Sequence, residues 1–308
     1  MAMAVDKNTQ KQGSEAVVSK IKTVSEADQD VWQLKKKVAK LVIVIDRLLN
    51  AQLSAIIENE IFSSLEARWR GLQNVVWDLS DKSELKVKLL NITWDEVSND
   101  LNSQIRIRDT FLYKIVGLRE LDTMGGEPFG ILCIDHYLNT QNNTDFDDLY
   151  TAQLLCALGE SCACPIITSV DDNFFGEADA AWKTDERRLK SILASSEFSD
   201  WNNLRNKNNS RFLGLVMPKV LIRTKYASLN IGFNFTQLSS QTSGLWGNGC
   251  IEFIRTVMCE FHRTAWFGYL KMVSIGPPAG ALLPPACSPL PDGTMRNKVA
   301  QVRLTRGL

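Results

Sequence analysis

The sequence predicts a mixed α/β (α+β) chain, in which an N-terminal arm and a long helix precede a sheet-bearing domain. Two patterns carry this reading. Apolar residues from Val31 recur at helical spacing, and from Leu85 short strand-like runs alternate with helix-like ones. A third pattern marks the far end: Pro277, Pro278, Pro284, Pro285, Pro289 and Pro291 fall within fifteen positions and impose extended, nonhelical backbone.

Residues 1–30 are rich in Lys, Gln, Ser, Glu and Asp, with one apolar island, Val17-Val18-Ser19-Lys20-Ile21-Lys22-Thr23-Val24. Such a stretch cannot build a core alone. It reads as a disordered arm or as a strand lent to another chain's sheet, with Val17, Val18, Ile21 and Val24 as its contact residues. From Val31 the pattern changes. Val31, Leu34, Val38, Leu41, Ile45 and Leu48 are spaced by 3, 4, 3, 4 and 3, the seam of a helix that packs on another helix. Asp28 or Asp30 is placed to cap it, and Lys35, Lys36, Lys37 and Lys40 fill its other faces. After Leu41 the apolar surface widens to Val42, Ile43 and Val44, so burial on several sides is expected. Spacing alone fits a helix inside its own domain as well as one in an inter-subunit bundle. The helical pattern continues through Ile61 and on to Val76, with a break near Asn59–Phe62.

The next block, 62–276, reads as the α/β domain. Leu85–Ile92 alternates like a strand, and Thr93 or Asp95 caps the helix that follows. Phe111–Val116 reads as a short helix, Phe129–Ile134 as a strand, Asp147–Leu158 as a helix feeding the strand Pro165–Ser169. Arg211–Ile222 holds a strand broken by Pro218, and Trp246–Met258 has helical spacing. Residues 277–308 form a proline-rich segment and, at Val299–Leu304, the start of a further strand that reads as truncated.

Composition excludes several classes. Lys+Arg and Asp+Glu both number 35, so no global field draws the chain to nucleic acid or anionic lipid. No apolar run is long enough to span a bilayer, and residues 1–30 lack a signal-peptide core. The seven cysteines are odd in number and sit mostly in apolar surroundings, which fits free thiols and a cytoplasmic protein.

Chemistry-bearing groups are sparse. Gly125-Gly126 lacks the lysine or third glycine of a phosphate cradle and reads as a turn. Asp135 and His136 end a strand, but neighbours on a strand point to opposite faces and cannot easily share a substrate. Cys162-Ala163-Cys164 has no second cluster to complete a zinc site, so buried thiols are expected. Cys259 and His262 share a helix face but have no third group to orient them. No cofactor or metal is expected.

Seven motifs then occur in order. They are Leu65-Glu66-Ala67-Arg68-Trp69-Arg70-Gly71-Leu72; Gly125-Gly126-Glu127-Pro128-Phe129-Gly130; Cys164-Pro165-Ile166; Trp201-Asn202-Asn203-Leu204-Arg205; Leu213–Pro218 followed by Leu221-Ile222-Arg223; Leu245-Trp246-Gly247-Asn248; and Ile275-Gly276-Pro277. This series resembles the large sheath protein of bacterial type VI secretion systems, whose first signature is L-E-x-x-W-R-G-L. The chain departs from that family at Cys164–Ile166, at Lys219 where an arginine is usual, and at Pro278-Ala279-Gly280-Ala281.

The resemblance implies a structural subunit, not an enzyme. Its signature residues would serve packing and ion pairing, Glu66, Trp69 and Arg70 among them. It implies a small sheath subunit as heterodimer partner, neighbouring copies in a helical polymer, an inner tube protein, a baseplate and a Clp-type recycling ATPase. It implies neither nucleic acid nor direct membrane insertion. Such a protein would be cytoplasmic, in an assembly anchored at the envelope through other proteins. The helix 31–61 would join a bundle with the small subunit, and residues 17–24 would supply an exchanged strand. The rivals are a sheath-like or baseplate component of another contractile machine and, from a different class, an α/β enzyme using Asp135, His136 or the cysteines.

Overall fold

The computed structural model describes residues 7–79, 84–139, 147–175, 186–217, 219–226, 229–230, 233–237, 244–266, 286–289 and 295–298; of residues 7–28 it describes the backbone. In chain order the helices and strands are α1 (Lys7–Ile57), α2 (Glu60–Leu79), α3 (Trp94–Ser103), α4 (Phe111–Tyr113), β1 (Leu132–Leu138), α5 (Asp148–Ser161), β2 (Ile166–Val170), α6 (Glu186–Leu193), α7 (Ser199–Arg205), β3 (Leu213–Val216), β4 (Val220–Thr224), β5 (Leu229–Asn230), β6 (Asn234–Phe235), β7 (Gly244–Gly247), α8 (Gly249–Thr264), β8 (Ala286–Pro289) and β9 (Met295–Lys298). The chain is therefore mixed α/β, as its patterning predicts. It divides into two units, 1–59 with 226–240, and 60–225 with 241–308.

The first unit is built on α1, a helix of 51 residues and so about 75 Å long. The hairpin β5–β6 is tied to its last turns. Asn50 Oδ1 accepts the Thr236 N–H at 2.9 Å, and Gln237 Nε2 donates to Glu58 Oε1 at 3.3 Å. Phe235 is buried there against Tyr226, ring centroids 5.9 Å apart. The backbone of residues 7–30 is helical in this chain and corrects the expected cap at Asp28 or Asp30, because the helix runs through both. Val17, Ile21 and Val24 are spaced by 4 and 3, the period of a helix. The break expected near Asn59–Phe62 falls at Glu58–Asn59, between α1 and α2.

The second unit is a three-layer arrangement around a short parallel sheet ordered β1-β2-β3. Ile166 pairs with Leu132 on one side and Leu213 on the other. Every residue of β2 is buried, as a central parallel strand requires when helices cover both faces. On one face Ile166 packs with Leu101, Leu112, Val116, Leu155 and Leu158 from α3 to α5. On the other, Ile167 packs with Val75 of α2 and Ile251 and Met258 of α8. Separate antiparallel ribbons are formed by β4 with β7 and by β8 with β9.

Helix starts follow their capping chemistry. Thr93 and Glu96 form a reciprocal capping box on α3, Asp147 Oδ1 accepts the Leu149 N–H at 2.9 Å, and Asn248 Oδ1 accepts the Cys250 N–H at 3.1 Å. Leu85–Ile92 corrects another expectation: it carries no strand pairing. Alternation there reflects which side chains are anchored, with Lys88 Nζ on Glu120 Oε1 at 2.8 Å and Lys86 on Glu127, while Val87, Leu89 and Leu90 stay exposed. Phe129–Ile134 begins its strand later, at Leu132, and the helix of 111–113 passes into a π-type turn at Lys114–Leu118. Pro218, Ile275–Pro277 and Val299–Leu304 lie outside the described residues.

Candidate functional site

Helix α2 carries the first sequence signature and shows two faces. Ala67, Gly71 and Val75, at spacing four, are its buried residues. They are small, and the close approach needs that: a Cβ on Gly71 would lie 3.2 Å from Ile251 of α8. On β7 a Cβ at Gly247 would stand 2.4 Å from Cγ1 of Ile222.

Beside this seam Glu66 binds two arginines. Arg223 donates through Nε and Nη2 to the two carboxylate oxygens at 2.8 and 3.0 Å, and Arg70 Nε donates to Oε1 at 2.7 Å. Burial pushes the Glu66 carboxyl up, but the hydrogen bonds of Arg223 and Arg70 outweigh it and hold the group below its ordinary value. Arg223 reaches α2 because β4 carries a bulge. Leu221 pairs with Trp246 and Arg223 with Leu245, leaving Ile222 as the extra residue. Ile222 packs with Ala67 while its neighbour Arg223 meets Glu66, so both face α2.

A second set of contacts joins this seam to the sheet. Arg68 Nε lies 3.2 Å from Asp135 Oδ2 of β1, and Asn248 Nδ2 donates to Asp135 Oδ1 at 2.8 Å. Asn248 Oδ1 also accepts from Ser169 of β2. Signature residues from three separate stretches, Glu66, Arg70, Arg223, Trp246, Gly247 and Asn248, thus meet around α2, β4, β7 and the start of α8.

The other signatures stand elsewhere. Gly125 has φ +86°, and a Cβ on Gly126 would lie 2.4 Å from the Glu120 carbonyl oxygen, so the turn demands both glycines. Glu120 Oε2 accepts the Glu127 N–H at 3.1 Å, and Pro128 is exposed. Trp201 packs edge-on against Phe174 at 5.3 Å, and Arg205 is exposed at the end of α7. Trp69 is 66% exposed in this chain, on the side of α2 away from Ala67 and Gly71.

The groups weighed for catalysis part company. His136 Nε2 lies 3.3 Å from Asp148 Oδ2, and its ring stacks on Trp94 at 4.0 Å, whereas Asp135 turns to Asn248 and Arg68. Asp148 also accepts from Trp94 Nε1 at 2.8 Å. Burial raises its carboxyl, but His136, the Asn139 N–H and Trp94 hold it below its ordinary value. Sequence spacing could not pair Asp148 with Trp94, which stands 54 residues away. Burial pushes the thiols of Cys156 and Cys162 up to about 11 and that of Cys164 up to about 12, so these cysteines remain protonated. His262 pairs with Glu84. Among the described residues no group of His, Cys, Asp and Glu could hold a metal ion, and no described helix is long and apolar enough to cross a membrane.

What the first unit presents is a surface. Val31, Leu34, Val38, Leu41, Ile45 and Leu48 of α1 are between 49% and 63% exposed. Folded proteins commonly leave single apolar residues in water, but a continuous seam of this length is unusual.

The chain belongs to the VipB family, whose model, described as EvpB/VC_A0108, tail sheath N-terminal domain, matches residues 39–299. It is a member of the type VI secretion sheath proteins, a structural family. It is 24% identical over 278 residues to the type VI secretion system sheath protein TssC1 of Pseudomonas aeruginosa. That match covers 85% of this chain and 54% of the relative, so the chain spans about half the length of the curated relative it matches.

Proposed function

We propose that this protein is the large subunit of a contractile sheath, that its α1 seam packs into a helical bundle with a small sheath subunit, and that the heterodimers polymerise as a helical tubule around an inner tube. Contraction of that tubule would drive the tube outward. The work is cytoplasmic, with the baseplate and envelope anchoring supplied by other proteins and a Clp-type ATPase taking spent sheaths apart. The observation that carries the reading is the exposed 3,4,3,4,3 seam of Val31 to Leu48. Such spacing winds two helices into a left-handed supercoil, and its burial is the driving force.

Co-expression with the small sheath subunit tests it. Leu41→Asp puts a carboxylate in the middle of the seam and should abolish co-purification, while the second unit keeps its cooperative unfolding transition. Undiminished capture of the small subunit would rule out the bundle.

Residues 17–24 enter the same scheme as the link between successive rings. In the lone chain they are helical, yet Val17, Val18, Ile21, Thr23 and Val24 are β-branched, and each is roughly 0.4–0.6 kcal/mol poorer than alanine in a helix. A neighbour's sheet edge therefore competes with the helix at low cost, and about three to six backbone hydrogen bonds at ~0.5–1.5 kcal/mol each favour the exchange.

A further inference from the structure

We infer that the partner helix covering the α1 seam is acidic along its flanks opposite Lys35 and Lys37, and aliphatic along its flanks opposite Val42 and Val44. The inference rests on the bundle reading above and specifies the chemistry of its partner. With Val31, Val38 and Ile45 in one core row and Leu34, Leu41 and Leu48 in the other, the bordering positions are fixed by helix geometry. They are Lys35 and Lys37 in the first repeat, and Val42 and Val44 in the second. All four are exposed.

The charge is uncompensated where it stands. Residues 31–45 hold four lysines and neither Asp nor Glu, so the segment carries 4 − 0 = +4 in a chain whose net charge is zero. No lysine among them has a carboxylate three or four residues away. Lys36 and Lys40 instead form a like-charge pair, and Lys36 lies over the Trp32 ring at 4.9 Å. Elsewhere the molecule balances its charges locally: Glu66 with Arg223 and Arg70, Asp78 and Glu252 with Arg255, Glu120 with Lys88, Glu260 with Arg263. A partner with neutral or basic flanks would leave two ammonium groups at the dry edge of the seam without counter-charge. From Leu41 the borders are apolar as well, so the helix is enveloped there by more than one partner helix. This step from charged to aliphatic flanks sets register and direction. A helix lying on an anionic lipid surface needs one apolar face, whereas Val42, Ile43, Val44 and Ile45 occupy every side of α1.

The test uses the full chain and the small sheath subunit of the same organism, titrated at 0.1 M and 0.5 M NaCl. The doubly reversed variant K35E/K37E should bind about tenfold more weakly at low salt, and the gap should narrow at high salt. Replacing the facing carboxylates of the small subunit with lysine should restore K35E/K37E binding. Leu41→Asp serves as the control for the bundle itself. If Leu41→Asp binds normally, the bundle reading falls; if it fails while K35E/K37E binds like wild type at both salts, this inference alone falls. Sedimentation with phosphatidylglycerol vesicles closes the test: lysine-dependent vesicle binding alongside unchanged partner affinity would overturn the acidic-helix assignment.

Discussion

Arg223 and Glu66 stand 157 residues apart in the chain, yet their fork-to-fork contact ties β4 to α2 by two hydrogen bonds. Both are largely buried, and removing one partner of a buried pair leaves the other charge unmatched. Arg70 still reaches Glu66, which softens the loss, so Arg223→Ala should destabilise by about 2–3 kcal/mol rather than the full cost of an orphaned ion. Urea unfolding measures this, and an unchanged midpoint would remove the pair from any structural account. Gly247→Ala should cost about 1–3 kcal/mol for a different reason, overpacking against Ile222. Trp69→Ala makes the opposite case. Its side chain lies outside the fold, so the change in stability should stay within about 0.5 kcal/mol. A large loss would show that the indole is a packing group after all.

Elements differ in how far their sequence discloses them. The α1 seam, the capping box at Thr93 and the glycine turn at Gly125–Gly126 are legible because each is governed by residues within four positions of one another. The strand expected at Leu85–Ile92 is not, since alternation describes a face and says nothing of whether a partner strand exists. The island at Val17–Val24 satisfies both a helical and an extended pattern, and only the surroundings decide between them. The contact of Glu66 with Arg223 depends on a bulge at Ile222, which leaves no mark in composition or spacing. The dual nature of the island is itself testable. Val18→Ala with Ile21→Ala favours the helix and weakens a strand, so it should shorten sheaths seen by electron microscopy while small-subunit binding is unchanged. Sheaths of ordinary length would refute strand lending.

At the scale of the whole molecule, the carboxylates set an acid limit. Glu66, Glu96, Glu120, Glu127 and Asp148 are all held below their ordinary values, 4.5 for the glutamates and 3.8 for the aspartate, by hydrogen bonds or nearby cations that outweigh burial. A depressed carboxyl adds stability above its unfolded value and loses it as pH falls through the folded value. Glu252 runs the other way, since burial raises it and Arg255 only partly offsets that. Five against one among the described residues, stability should hold from neutrality to about pH 4.5 and decline below it. Thermal melts across pH 3–7 check the sign, and in Arg223→Ala the decline should be shallower because Glu66 loses its main cation. A melting point flat down to pH 3 would contradict the assignment.

The extra residue in β4 has one more implication. In an ordinary pleat, adjacent side chains on the ribbon leave from opposite sides, so Ile222 and Arg223 can share α2 only while the inserted position is retained. Deleting a single codon there would preserve nearly all of the chain's chemistry and yet rotate the guanidinium toward water, stranding a carboxylate with one arginine. Length at that point is therefore as constrained as residue identity, and natural variants should tolerate a conservative swap at 222 more readily than a gap.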